Sequence, residues 1–302
     1  MRHFLKALAV VVFSFNVFGS DCAEQAKVVA PSIGAEARAD FEIKQAKAKA
    51  DHQKDPKDAD ALIWFGRRTA YLGDYKKAIH IYTEGIRMHP RDARMYRHRG
   101  HRFISIRCFD DAIRDFERAA AIFEGEPDQV EPDGLPNALN IPTSTLQSNT
   151  WYHLGLAHYL KGDFDKALEA YRACIYVSEN PDMFVATANW LYVTLRKMGK
   201  NKEAAAILEK VDDDLDVIEN ESYYDLLKLY KGSLKPDDFV VGKADALSNA
   251  SVQYGLGNWE LINGNRNLAM TYFKRVLDGD QWSSFGFIAA EAEMKRLGAT
   301  AN

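Results

Sequence analysis

Cysteine is scarce in this chain: Cys22, Cys108 and Cys174 are the three among 302 residues. Three cysteines make no disulfide framework. No CxxC or CxxCH spacing supplies a zinc site or a haem attachment, so neither metal nor cofactor is expected. Proline is scarce as well. Of nine, four fall between Pro127 and Pro142, which leaves the remainder free to form helices. A net charge of −4 gives no polycationic surface, and nucleic acid is excluded as a partner. With 47% hydrophobic and 27% charged residues, the composition excludes wholesale disorder and collagen. The longest apolar run, Ala7 to Phe18, is too short for a permanent membrane span. There is no GxSxG, HExxH or GxxxxGK[ST], and no catalytic residue is assigned.

What is present begins with an address. Residues 1–20 carry Arg2 and Lys6, an apolar core and then Gly19 and Ser20, the pattern of a secretory signal peptide. Cys22 follows at once. The segment Gly19-Ser20-Asp21-Cys22 resembles a lipobox, with Asp21 where a small residue is usual, so Cys22 is a candidate for lipidation and for membrane attachment by that route alone. Residues 21–56 are expected to hold a linker and a leading helix over 35–53, which is also a candidate dimerisation element.

A period of 34 organises the rest. Gly66, Ala78 and Tyr82 recur as Gly100, Ala112 and Phe116. These recur 55 residues on as Gly155, Ala167 and Tyr171, one period plus an insertion of 21. Gly155, Gly162, Ala167 and Tyr171 return 102 residues later as Gly257, Gly264, Ala269 and Phe273. Small residues at fixed places let paired helices approach closely, and an aromatic is expected to fill the gap between neighbouring hairpins. Gly73, Gly162, Gly199 and Gly264, at the fifteenth position of their units, end the first helix of each pair.

The unit WYHLGLAHYLKGDFDKALEAYRACI (151–175) resembles the tetratricopeptide repeat (TPR) family. The resemblance implies an all-α, right-handed superhelix of antiparallel helix pairs. Pairs are expected over 57–124 and 148–210, with a Pro-rich insertion at 125–147, a non-repeat helical segment at 211–247, and a last pair with a capping helix in 248–302. Export, repeats, a helical break and a final repeat together also resemble envelope TPR lipoproteins of the NlpI type. Those are dimerising adaptors, which places this chain in a bacterial periplasm or on the periplasmic face of the outer membrane.

The first helix of each pair lines the concave face of such a superhelix. Here that face offers Arg67, Tyr71, Arg94, Arg97, His101, Asn149, Tyr152, Asn189, Arg196, Tyr254 and Asn258. Guanidinium forks and amides with almost no acid suit an acidic or carboxylate-ended peptide. The expected function is therefore an exported scaffold or adaptor that binds a protein or peptide segment in its groove. The alternative is an enzyme or a small-anion-binding protein, with the Arg/His-rich run 94–102 and the insertion 125–147 forming a pocket. Arg99, at a position normally filled by a buried Leu, needs an acid partner, for which the insertion offers Glu124, Glu126, Asp128, Glu131 and Asp133. His98 and His101 are surrounded by arginines, which oppose a metal ion.

Overall fold

A computed structural model describes residues 21–239 and 246–299, without side-chain detail at 246–249. The signal peptide expected at 1–20 lies outside the described residues. Within them the chain is all-α, and no strand occurs. A short helix α1 (Asp21–Gln25) and a leading helix α2 (Ala35–Lys54) precede four hairpins. These are α3 (Ala59–Tyr71) with α4 (Tyr75–Met88), α5 (Ala93–Ser105) with α6 (Phe109–Phe123), α7 (Leu146–Lys161) with α8 (Phe164–Tyr176), and α9 (Pro181–Lys197) with α10 (Asn201–Leu208). Then come α11 (Glu221–Lys231), a 3-10 turn at Pro236–Asp238, a fifth hairpin α12 (Ala246–Ile262) with α13 (Arg266–Leu277), and α14 (Phe285–Arg296). The helices start where the sequence supplies caps. The Asp58 carboxylate accepts from the amides of Asp60 and Ala61, Thr145 and Ser148 form a capping box, and Asn180 caps a helix whose first residue is Pro181.

The repeat signature has a steric origin inside each hairpin. A Cβ added at Gly66, Gly100, Gly155 or Gly257 would stand 2.5–2.9 Å from the ring of Tyr82, Phe116, Tyr171 or Phe273 respectively. The aromatic therefore lies on the glycine of its own unit, and in the first two units it also meets the next hairpin, Tyr82 stacking on His98 and Phe116 on His153. These four rings are fully or almost fully buried.

Arg107 stands in the second hairpin where the other units place a left-handed glycine. It adopts φ 66°, a conformation costing a non-glycine residue about 1–2 kcal/mol. Its side chain compensates. Nε donates to Glu291 at 2.8 Å, Nη1 to the Ser105 carbonyl at 2.6 Å and Nη2 to the Trp282 carbonyl at 2.7 Å. The guanidinium also sits 3.7 Å from the Trp282 ring centroid. Arg107→Gly relieves the backbone yet loses this clamp. It is expected to be net destabilising by about 1–2 kcal/mol, with faster hydrogen exchange across 280–297.

That clamp belongs to a wider departure from an open superhelix. The C-terminal helix α14 packs against α7 as well as α12 and α13, so it caps the stack by folding back across the inner face. Trp282 approaches Tyr75 (6.3 Å between ring centroids), and Phe285 approaches His101 at 5.3 Å. The N-terminal segment is also docked. Pro31 lies against Gly73, Lys76 donates to the Glu24 carbonyl at 2.8 Å, and α2 packs on α3 with Phe41 near Tyr71.

Cys22 is bonded to Cys108, 86 residues away. This corrects the lipidation expected at Cys22, because a sulfur in a disulfide has no thiol to carry a thioether-linked lipid; the membrane attachment that depended on it falls too. The Cys22, Cys108 and Asp111 side chains meet within 4.8 Å, but with the two sulfurs bonded to each other they offer no thiolate to a metal.

Candidate functional site

The insertion lies across the concave face as a strap. Its two arms pair briefly: Glu131 N–H donates to the Ser144 carbonyl (3.1 Å) and Leu146 N–H to the Gln129 carbonyl (2.8 Å). Between the arms the chain is fastened to the inner helices by polar contacts. Arg67 donates to the Pro132 carbonyl at 2.7 Å, Arg68 to the Gly134 carbonyl at 2.8 Å and Asn180 to the Thr143 carbonyl at 2.8 Å. Thr143 and Asn137 both donate to the Glu219 carboxylate. Gly134 passes so close to α3 that a Cβ there would run into the Tyr71 hydroxyl and the Arg67 guanidinium.

Glu131 is the anchor. One carboxylate oxygen lies 3.0 Å from Arg97 Nε and accepts from Asn149 Nδ2 at 2.8 Å. The other lies 3.1 Å from His98 Nε2. Arg97 Nη1 donates to His98 Nδ1 at 2.9 Å, so the network assigns the His98 proton to Nε2, facing Glu131. Burial, and then the Arg97 charge, push His98 well below its usual range and keep it neutral. The same causes act on His101 and His153: burial first, then the guanidiniums of Arg102 and Arg97 respectively, with His153 brought down to about 3.

By contrast, the strap's large apolar side chains point outward. Val130, Leu135, Leu139 and Ile141 are all exposed. The strap is thus held by backbone carbonyls, the Glu131 carboxylate and the Thr143 and Asn137 side chains, with little apolar burial to fix it.

Among the residues proposed for the groove, the structure gathers Arg67, Arg97, His101, Asn149 and Tyr152 around one cavity of about 320 Å³, with Tyr71 beside Arg67 and Gly134. Others are elsewhere. Arg94 pairs with Asp92 and Asp60 at a separate cleft lined by residues 89–94 and 122–129. Arg196 bonds Tyr192 and Asn263, tying α9 to the end of α12. Asn189, Tyr254 and Asn258 are buried, and Asn258 donates to the hydroxyls of Tyr159 and Tyr254. These three do not line a groove, because α11 and α12 pack onto α9 and cover the face an open superhelix would present.

Arg99 takes no acid from the insertion. It forms a two-pronged pair with Asp115 of its own hairpin, 2.7 Å at each prong, because its position faces between α5 and α6. Glu131, the acid that matters, has no distinguishing sequence signal. Its partners Arg97 and His98 do lie in the conspicuous run 94–102.

Comparison with known proteins agrees with this architecture. Two family models, each described as Tetratricopeptide repeat, match residues 148–181 and 65–127. BBSome complex member BBS4 of Bos taurus is 29% identical over 140 residues, covering 46% of this chain and 23% of that protein. The Mus musculus protein of the same name is 26% identical over 138 residues, covering 46% and 22%. The chain thus spans less than a quarter of the length of these relatives. Among solved structures, the APC/C hetero-tetramer Cut9-Hcn1 superposes with a TM-score of 0.50 at 17% identity, over 85% of this chain and 40% of that one. YrrB, described as a TPR protein with an unusual peptide-binding site, gives 0.43 at 15% identity, over 82% and 97%. Repeat period, glycine–aromatic packing, all-helical architecture and the matching family models lead to one conclusion: the chain carries tetratricopeptide repeats, over residues 65–127 and 148–181.

Proposed function

We propose that this protein is an exported scaffold of the bacterial envelope, whose concave face captures an extended acidic segment of a partner protein. Tetratricopeptide repeat proteins bind protein partners and generally carry no chemistry of their own. The observation that carries the finer reading is that the inner face already holds such a segment in cis. Arginines grip the backbone carbonyls of Pro132 and Gly134, and Arg97, His98 and Asn149 surround the Glu131 carboxylate. These are the contacts a groove makes with an extended acidic peptide. In this reading the strap is a built-in competitor that a partner displaces.

Two features support export. The leader-like residues 1–20 precede the docked chain directly, and the Cys22–Cys108 disulfide belongs to an oxidising compartment.

The specificity is tested by probing an array of acidic, neutral and basic peptides with a chain in which 128–144 is replaced by a Gly/Ser linker. Acidic peptides are expected to bind at least about tenfold better than neutral ones, with affinity falling as salt rises. Equal binding across charge classes rejects the reading.

A further inference from the structure

The cavity beneath the strap is lined by arginines and carboxylates that do not all meet in direct ion pairs. It is bounded by Arg67 of α3, Arg97 and His101 of α5, Asn149, Tyr152 and His153 of α7, Tyr223 of α11, Phe285 of α14, and Asp133 and Thr143 of the strap, with Glu219 at the edge. Its volume, about 320 Å³, lies at the small end for ligand sites and suits an amino-acid-sized molecule.

At the α3/α5 end, Arg97 is matched by Glu131, while Arg67 binds the Pro132 carbonyl and forms no ion pair among the described residues. Glu131 lines the cavity too and attracts Arg67 without contacting it in an ion pair. At the strap end, Asp133 makes no hydrogen bond or ion pair among the described residues, although it is half-buried. Burial, and then the neighbouring Glu219 carboxylate, raise its carboxyl above the usual range and outweigh the attraction of Arg67 and Arg97. Arg67 and Arg97 attract the Asp133 carboxylate, but no direct ion pair joins them among the described residues, which leaves room for a group between the two ends. Between them lie aromatic surfaces: Tyr152, Phe285 and the mutually tilted rings of His101 and His153, 4.5 Å between centroids. His153 donates through Nδ1 to the Asn149 carbonyl, leaving Nε2 as an acceptor.

We propose that this cavity binds a free α-amino acid, its carboxylate toward Arg67 and Arg97 and its ammonium toward Asp133 and Glu219. A ligand with only an anion would leave Asp133 unpaired and face its charge. A ligand with only a cation would meet the arginines. The bound zwitterion bridges inner face and strap, because Asp133 rides on the strap and the arginines on α3 and α5. Occupancy therefore fastens the strap over the groove. This goes beyond the peptide-capture reading. Here the strap must be in place, whereas peptide capture is read with the strap replaced, so the two fail separately.

The test is calorimetric titration of the intact chain with each of the common free α-amino acids, up to about 10 mM. At least one is expected to bind. Its N-acetyl and its amide derivatives are each expected to bind at least about tenfold more weakly. Asp133→Asn, a change at a half-exposed position, is expected to erase the preference over the N-acetyl form. Arg67→Gln is expected to erase the preference over the amide. Hydrogen exchange in 130–145 should slow when ligand is bound. Binding by none of the amino acids overturns the proposal. So does equal binding of the N-acetyl form, which reveals an anion site only, or retention of both preferences in both variants.

Discussion

Glu293→Ala is expected to cost about 3–5 kcal/mol of folding stability, measured by chemical denaturation. Glu293 is 2% exposed. Lys197 Nζ lies 2.9 Å from its carboxylate and Arg296 Nη2 lies 2.8 Å away, and the Tyr159 hydroxyl donates to it at 3.2 Å. Arg296 continues to the Leu160 carbonyl at 3.0 Å. One carboxylate thus joins α7, α9 and α14. Truncating it leaves two cations inside the protein without a counter-charge, and that desolvation cost exceeds the loss of the bonds themselves. Burial pushes the Glu293 carboxyl up, but Lys197 and Arg296 outweigh it and hold the group below the ordinary value of 4.5. A depressed folded pKa means the stabilisation is fully present above that ordinary value and is lost as pH falls through the lower folded one. The difference between the wild type and Glu293→Gln should therefore be steady near neutrality and shrink below about pH 4.5. A difference that grows on acidification contradicts this assignment.

Glu131→Gln is expected to release the strap at a cost of about 3 kcal/mol. The variant keeps the shape of the side chain but removes the charge facing Arg97, which is itself buried. What remains is a set of hydrogen bonds to Arg67, Arg68, Asn180 and Glu219, without apolar burial to support them, because the strap's large apolar side chains point to solvent. The loss should be local. Proteolysis and hydrogen exchange should accelerate across 128–145, while helices α5 and α7 stay protected. Gly134→Ala provides an independent check. It leaves the Glu131 network untouched but places a Cβ against Tyr71 and Arg67, so it should open the strap as well. If both variants keep strap protection at the wild-type level, the strap is fixed by something other than the contacts described.

Legibility in the sequence tracked the range of the interactions. The repeat hairpins were readable because glycine and aromatic meet within one unit, 16 residues apart, and the constraint recurs along the chain. The inner-face register was readable through α7, where Arg67, Arg97, His101, Asn149 and Tyr152 do converge. It failed at Asn189, Tyr254 and Asn258. An open superhelix was assumed there, and the packing of α11 and α12 onto α9 depends on contacts that leave no periodic trace. The Cys22–Cys108 bond spans 86 residues, and two cysteines carry no pattern by which to pair them. Arg107 was a missed signal. It is the one fifteenth position among the five units without glycine, and such an exception marks a side chain with a task of its own, here the clamp on Trp282 and Glu291. The insertion acids were identified as partners for the arginine-rich helix, but the recipient is Arg97 on the inner face, and Arg99 turns into its own hairpin.

The central claim is that the inner face is a receptor for an acidic extended segment and that the strap occupies it. It is tested most directly by supplying that segment in trans. A labelled synthetic peptide of residues 127–137 is titrated into the intact chain and into the chain with 128–144 replaced by a Gly/Ser linker. A tethered segment competes at an effective concentration in the millimolar range. The account therefore predicts binding to the linker chain, at least about tenfold weaker binding to the intact chain, and loss of binding when the peptide carries Gln in place of Glu131. Equal binding to both chains, or binding indifferent to the glutamate, contradicts it.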